Sequence, residues 1–190
     1  MSVKLDRKSE IVAIASKLFR EKGYSAVTVR DIAQALDIKA ASLYNHISSK
    51  QEILRLMIIN IAENYTNTIS EILDSSENTV FKLQKVIQLH IDITVDNPDA
   101  MASLNNDWMH LQEDDLKYFL KMRDEYEQKF RIIVKNGIET GELKNHNSEV
   151  LIFSMLSTLR TLYLWYGRKN GFTKKTLQDH LALILLNGII

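Results

Sequence analysis

The sequence has no cysteine, one proline, six glycines and no long hydrophobic run. Without cysteine there are no disulfides, thiolate metal sites, iron–sulfur clusters or cysteine nucleophiles. One proline and few glycines give little punctuation for a turn-rich β architecture and favour long helices. An uncharged apolar stretch, Val150 to Leu159, stops at Arg160, short of the ~20 residues a membrane span needs. The charged start, Met1 to Glu10, holds no secretory hydrophobic segment. A soluble cytoplasmic protein without a membrane partner is expected. No Gly-rich phosphate loop, HExxH or Gly-x-Ser-x-Gly is present, so an enzyme is not expected, nor a cofactor. The acidic run Glu113-Asp114-Asp115 reads as charge at a helix start, where the macrodipole favours acids, and not as a catalytic pair.

What is present is a chain of 190 residues, 45% hydrophobic and 25% charged, with zero formal net charge. These values are ordinary for a globular chain, and at this length roughly 70% of the unfolded surface is buried without staples. The zero hides an asymmetry. Residues 1–50 carry nine Lys/Arg against five Asp/Glu, a surplus of four, and the rest carries fifteen against nineteen. A basic segment joined to a mildly acidic one suggests an anionic partner for the first part only.

The spacing of Ile11, Ile14, Ala15, Leu18 and Phe19 predicts a helix over Asp6–Lys22, ended by Gly23 in the left-handed region. Thr28 with Asp31 resembles a capping box before a short helix, Val29–Leu36. A tight turn at Asp37-Ile38 leads to a third, about Lys39–His46, held inward by Leu43 and Ile47. Ser49 with Glu52 forms another box before a helix running to about Leu73. Further helices are predicted over about Thr79–Val95, Asp99–Trp108, Glu113–Glu139, Glu149–Lys169 and Lys174–Asn187. Breaks fall at Asn97-Pro98, at Gly137 and Gly141, at an Asn147 or Ser148 cap, at Gly171 and at a Thr173 cap. The fold class is therefore all-α: an N-terminal three-helix helix-turn-helix domain over 1–50 and an antiparallel bundle of about six helices over 51–190.

Val150–Tyr166 has more than one apolar stripe, and Leu181–Leu186 is apolar all round. Such helices need cover on every side, and a second copy supplies it as an isologous homodimer through the two C-terminal helices.

A short helix, a tight turn and a second short helix behind a supporting one make a helix-turn-helix, whose second helix must fit a groove about 12 Å wide. Its outward residues, Lys39, Ala40, Ala41, Ser42, Tyr44, Asn45 and His46, are small or hydrogen-bonding. Ser48, Ser49 and Lys50 offer backbone N–H groups and a cation to phosphate.

The stretch Ile11–Leu54 resembles the DNA-binding domain of the tetracycline-repressor (TetR) family of transcriptional regulators. The residues that carry the likeness are Ala15, Leu18, Phe19, Gly23, Tyr24, Thr28, Val29, Ile32, Ala33, Leu43, Tyr44, His46, Lys50, Glu52 and Leu54. The resemblance implies a homodimer on a palindromic double-stranded operator, acting as a repressor released by a small effector. It implies phosphate contacts from Thr28 and Lys50, recognition-helix contacts from Tyr44 and His46, a base contact from Arg30, and a variable base-facing set of Ala40, Ala41, Ser42 and Asn45. Asp37 stands where the family usually has Gly, and Ile47 where an aromatic is common. Plainer readings remain beside these: Tyr44 and His46 as exposed helix residues, Lys50 as a solvated charge, Thr28 as an N-cap, Arg30 in an ion pair.

In the second part, Trp108, Met109, Tyr118, Met122, Tyr126, Phe153 and Tyr163 are candidates to line a largely apolar effector pocket, or to form plain core. His90, beside Leu89 and Ile93, is either a ligand-orienting group or a satisfied core histidine. His110 with Asp107 and Asp114 is the one grouping that suits a metal, and no metal site is expected. Gly137, Gly141, Leu143, Trp165-Tyr166 and Leu185-Leu186-Asn187-Gly188 resemble a subset of the family that senses lipid-derived acyl-CoA thioesters. The alternative function is a helix-turn-helix-shaped protein-interaction module that binds no DNA.

Overall fold

The computed structural model describes residues 6–166 and 172–190. The expected end of the eighth helix at Lys169 and its stop at Gly171 lie outside them. Among the described residues there are nine α-helices, one 3-10 turn and no strand. They are α1 (Arg7–Lys22), α2 (Val29–Ala35), α3 (Ala40–Leu43), α4 (Lys50–Asp74), α5 (Thr79–Asp96), α6 (Pro98–Asn106), the 3-10 turn Trp108–His110, α7 (Glu113–Glu139), α8 (Ser148–Tyr166) and α9 (Lys174–Asn187).

Packing divides the chain into two compact units, later than residue 50 and discontinuously. Among the described residues, the first holds 6–61 with Asp99–Phe119, and the second holds Ala62–Pro98 with 120–166 and 172–190. In the first, α2 packs on α1 and α3, burying Ile11, Ala15, Phe19, Ile32, Leu43, Ile47, Ile53 and Leu54. In the second, α5 packs on α8 and α9 around Ile69, Leu83, Ile87, Phe130, Val134 and Leu159.

Local chemistry explains most boundaries. The Asp6 carboxylate accepts the Ser9 N–H at the start of α1, and Asn78 and Thr173 do the same for Phe81 and Thr176. Asn147 is the cap of α8, accepting from Glu149 and Val150. Pro98 occupies the first position of α6, where a missing N–H costs nothing. Gly23 ends α1 at φ 83°, ψ 145°, positive in φ but extended in ψ and so outside the left-handed helical well that was expected.

Three expectations change in detail. The third helix is one turn, Ala40–Leu43, with Tyr44–His46 continuing as a turn closed by His46 N–H to Leu43 carbonyl at 3.0 Å. Gly137 does not fray α7 but lies inside it, where a Cβ would collide with Thr79 Cγ2 and come 2.8 Å from Leu143 Cγ. At α4 the Ser49 hydroxyl accepts the Glu52 N–H as a cap should. The Glu52 carboxylate, however, takes the Ser48 N–H at 2.6 Å and Lys8 Nζ at 2.7 Å, so the box closes one residue early. Those bonds, Lys8's first, hold Glu52 down to a pKa of about 2.

Candidate nucleic-acid interface

Three elements build the face: the start of α2, the one-turn α3 and the entry to α4. Thr28 and Asp31 form a complete capping box. The Thr28 N–H and hydroxyl both donate to Asp31 Oδ2 at 2.7 Å, and the Asp31 N–H returns to Thr28 Oγ1 at 3.2 Å. These bonds lower the Asp31 pKa, the hydroxyl's first. Thr28 is exposed, but its hydroxyl hydrogen is engaged by Asp31.

The turn between α2 and α3 is held by Asp37 at φ 54°, the left-handed conformation that Asp tolerates better than most residues. Its N–H reaches the Gln34 carbonyl, and the Ile38 N–H reaches the Ala33 carbonyl at 3.0 Å. Behind it, Ile32, Leu43 and Ile47 are buried. That leaves Ala41, Ser42, Asn45 and His46 exposed, with Tyr44 54% exposed. Arg30 and Lys39 are also exposed and, with Gln34 and Ala40, border one open groove. Of the sequence-derived set, Arg30, Lys39 and Ala40 meet at that groove, and Ala41, Ser42, Tyr44, Asn45 and His46 are each exposed to solvent.

Lys50 is different. Its Nζ donates to the Tyr24 carbonyl at 2.9 Å and the Val27 carbonyl at 2.8 Å, and stands 4.1 Å from the centre of the Tyr24 ring. Burial lowers its pKa. The Tyr24 ring meets Phe19 edge-on at 5.1 Å and stacks on His110 at 5.2 Å. Gln51 donates to the His110 carbonyl at 2.8 Å. Arg20 pairs with Asp99 at 2.7 Å, and Arg55 with Asp115 at 2.9 Å. Sequence reading missed this clamp on the loop after α1, since nothing in the spacing links residue 50 to carbonyls more than twenty positions away. His110 thus serves in packing, and among the described residues no three His, Cys, Asp or Glu side chains gather as metal ligands.

The eight effector-pocket candidates divide between the two units. Trp108, Met109 and Tyr118 belong to the first unit, with Met109 and Tyr118 exposed. His90, Met122, Tyr126 and Tyr163 are buried in the second. There, His90 Nε2 meets the Tyr126 hydroxyl, and both rings contact Tyr65. Phe153 is 71% exposed on the outer side of α8, with Val150, Leu164 and Trp165 also exposed on that helix and Leu183 and Ile184 on α9. No helix of the described residues is long and apolar enough to cross a membrane.

Residues 11–57 match the family described as bacterial regulatory proteins, tetR family, and residues 76–189 match the tetracyclin repressor-like C-terminal domain. The HTH-type transcriptional repressor KstR2 of Rhodococcus jostii (strain RHA1) is 27% identical over 194 residues, spanning 99% of this chain and 93% of that protein. The solved ketosteroid transcriptional regulator KstR2 of Mycobacterium tuberculosis superposes with a TM-score of 0.89 at 22% identity, covering 97% of this chain and 95% of that one. AibR, solved in complex with isovaleryl coenzyme A and operator DNA, gives a TM-score of 0.78 at 17% identity, covering 94% and 97%.

Proposed function

The chain belongs to the tetracycline-repressor family of DNA-binding transcriptional regulators, and from that premise we propose that it is a repressor gripping a palindromic operator as a homodimer. The observation that carries the reading is the exposed surface from Arg30 to His46, whose buried backing of Ile32, Leu43 and Ile47 presents a narrow probe to the major groove. Arg30 and Lys39 flank the bases. Ser42, Asn45, Tyr44 and His46 supply hydrogen bonds, and Ala40 and Ala41 leave room for thymine methyls. The exposed apolar residues of α8 and α9 are the dimer face, since a patch of that kind needs a partner.

The effector we favour is small and lipid-derived, of the acyl-CoA kind, with a largely apolar acyl part. AibR's capture with isovaleryl coenzyme A supports that class, and the buried aromatic groups of the second unit suit an apolar ligand. Release works by population shift. Half-sites one turn apart require recognition helices about 34–36 Å apart. An effector preferring another spacing weakens operator binding, and operator weakens effector binding by the same factor.

A fluorescein-labelled duplex, selected from a random pool by the purified chain, tests this. Anisotropy titrations with and without isovaleryl coenzyme A or a longer acyl-CoA are expected to show weaker operator binding, with free coenzyme A inert. Operator binding that persists unchanged with every acyl-CoA discards this effector class.

A further inference from the structure

Lys50 opens α4, yet its ammonium is turned back onto the loop that follows α1. That loop leaves the helix at Gly23, passes Tyr24 to Val27 and delivers Thr28 as the cap of α2. The Tyr24 carbonyl receives the Val27 N–H at 3.3 Å and Lys50 Nζ at 2.9 Å, and the Val27 carbonyl receives Lys50 Nζ at 2.8 Å. An ammonium has three donors and no acceptor, so two of the three are spent on backbone. The face of the Tyr24 ring, 4.1 Å away, attracts the same charge. Tyr24 is in turn fixed by Phe19 and His110.

We infer that Lys50 is a positioning residue for DNA binding: it ties the Tyr24–Val27 loop to the start of α4, and so sets the first turn of α2, with Thr28 and Arg30, against the operator, without itself neutralising a phosphate. The inference rests on the DNA-binding reading above. Three features favour it over a phosphate contact. Two of the ammonium's three N–H groups and the ring face already hold it on the loop, so at most the third N–H could turn to a phosphate. The Val27 carbonyl precedes the Thr28 cap directly, so its loss is felt at the next residue of the DNA face. Burial already works against the charged amine, as expected of a part-buried group held on backbone carbonyls.

Counterion release separates the roles. A cation that neutralises one phosphate adds about 0.9 to the slope of log affinity against log salt on B-form DNA. The experiment uses the full chain, the duplex it selects and potassium chloride from 50 to 200 mM. Lys50→Met removes the charge and keeps the stem. Affinity is expected to fall roughly tenfold at every salt concentration, with the slope unchanged and the variant fully folded by circular dichroism at the assay temperature. A slope shallower by about 0.9, or an affinity equal to wild type, overturns the inference. If Lys50→Met does not fold, Lys50→Arg decides. Its charge would satisfy a phosphate, but a planar fork does not reproduce one nitrogen shared by two carbonyls over a ring. Weaker binding at the wild-type slope supports positioning, and wild-type affinity overturns it. Failure of the wild-type chain to bind any selected duplex would instead sink the DNA reading itself, a result read before any variant is made.

Discussion

His90 Nε2 and the Tyr126 hydroxyl lie 2.8 Å apart in the interior of the second unit, with the Tyr65 ring 4.7 Å from the imidazole. His90 Nδ1 has no hydrogen-bond partner. A second ring proton would place a charge in this buried site, so burial, helped by the positive charge of Arg160, drives the His90 pKa down to about 3.

That depression makes stability depend on pH in a defined window. Near pH 6.5 and below, the unfolded chain takes up a proton that the folded chain refuses, so stability is full above that value and is lost as pH falls toward 3. Between pH 7 and pH 5 the loss from this one group is about 2 kcal/mol. Urea midpoints of wild type and His90→Phe at the two pH values check it. The Phe variant should lose less on acidification by about that amount, and parallel losses would show that His90 is not held neutral.

Asp37 bears the one positive φ among the described non-glycine residues. Asp37→Gly removes the steric cost but adds freedom to the unfolded chain, so the net gain should stay within about 1 kcal/mol. A β-branched side chain has no such tolerance, and Asp37→Val should cost roughly 1–2 kcal/mol. Thermal melts of both variants decide, and a Val variant as stable as wild type would mean that the turn adopts another backbone path.

Gly137 sets two effects against each other. Inside a helix, Ala is favoured over Gly by about 1 kcal/mol. Here the new Cβ meets the stiff Thr79 side chain and lies under 3 Å from Leu143 Cγ and Cδ1, both residues being buried. Overpacking of this kind costs typically 1–3 kcal/mol, so Gly137→Ala should destabilise on balance. Thr79→Ser removes the methyl in the way, and the double variant should recover part of the loss. A purely additive cycle would place the clash elsewhere.

What was legible in the sequence follows from how local each signal is. Helical spacing and caps are written within four residues, so Thr28–Asp31, Asn147 and Thr173 were readable, as were the buried Leu43 and Ile47 and the exposed Tyr44 and His46. The capping pair at α4 was readable only in half. Ser49 does cap, but Lys8 and Ser48 compete for Glu52, and Lys8 is forty-four positions away. Gly137 was taken for a helix stop because its reason, close approach of Thr79, is tertiary. Lys50 carried the charge that suits phosphate, and only the fold shows two carbonyls beneath it. A proposed effector site was least legible, since aromatic and thioether side chains at helical spacing look the same in a core, in a pocket and, for Phe153, on an outer face.

Phe153 and Ile184, 71% and 69% exposed on α8 and α9, supply the sharpest test of the proposed dimer. In a two-fold interface each substitution acts twice, because the same patch faces itself. Phe153→Glu and Ile184→Glu each remove two large apolar contacts and add two like charges near one axis. Truncating a single central anchor commonly costs 2 kcal/mol or more, so the dimer dissociation constant should rise at least about thirtyfold, and the double variant should sediment as a monomer at micromolar concentration. Ile132→Glu on α7 adds the same charge at another half-exposed apolar position and should leave the mass unchanged. Operator binding should fall with dimerisation, since one recognition helix reads only one half-site. A double variant that remains dimeric would move the interface away from α8 and α9. A wild-type chain that is monomeric at that concentration would remove the two-fold match to a palindrome altogether.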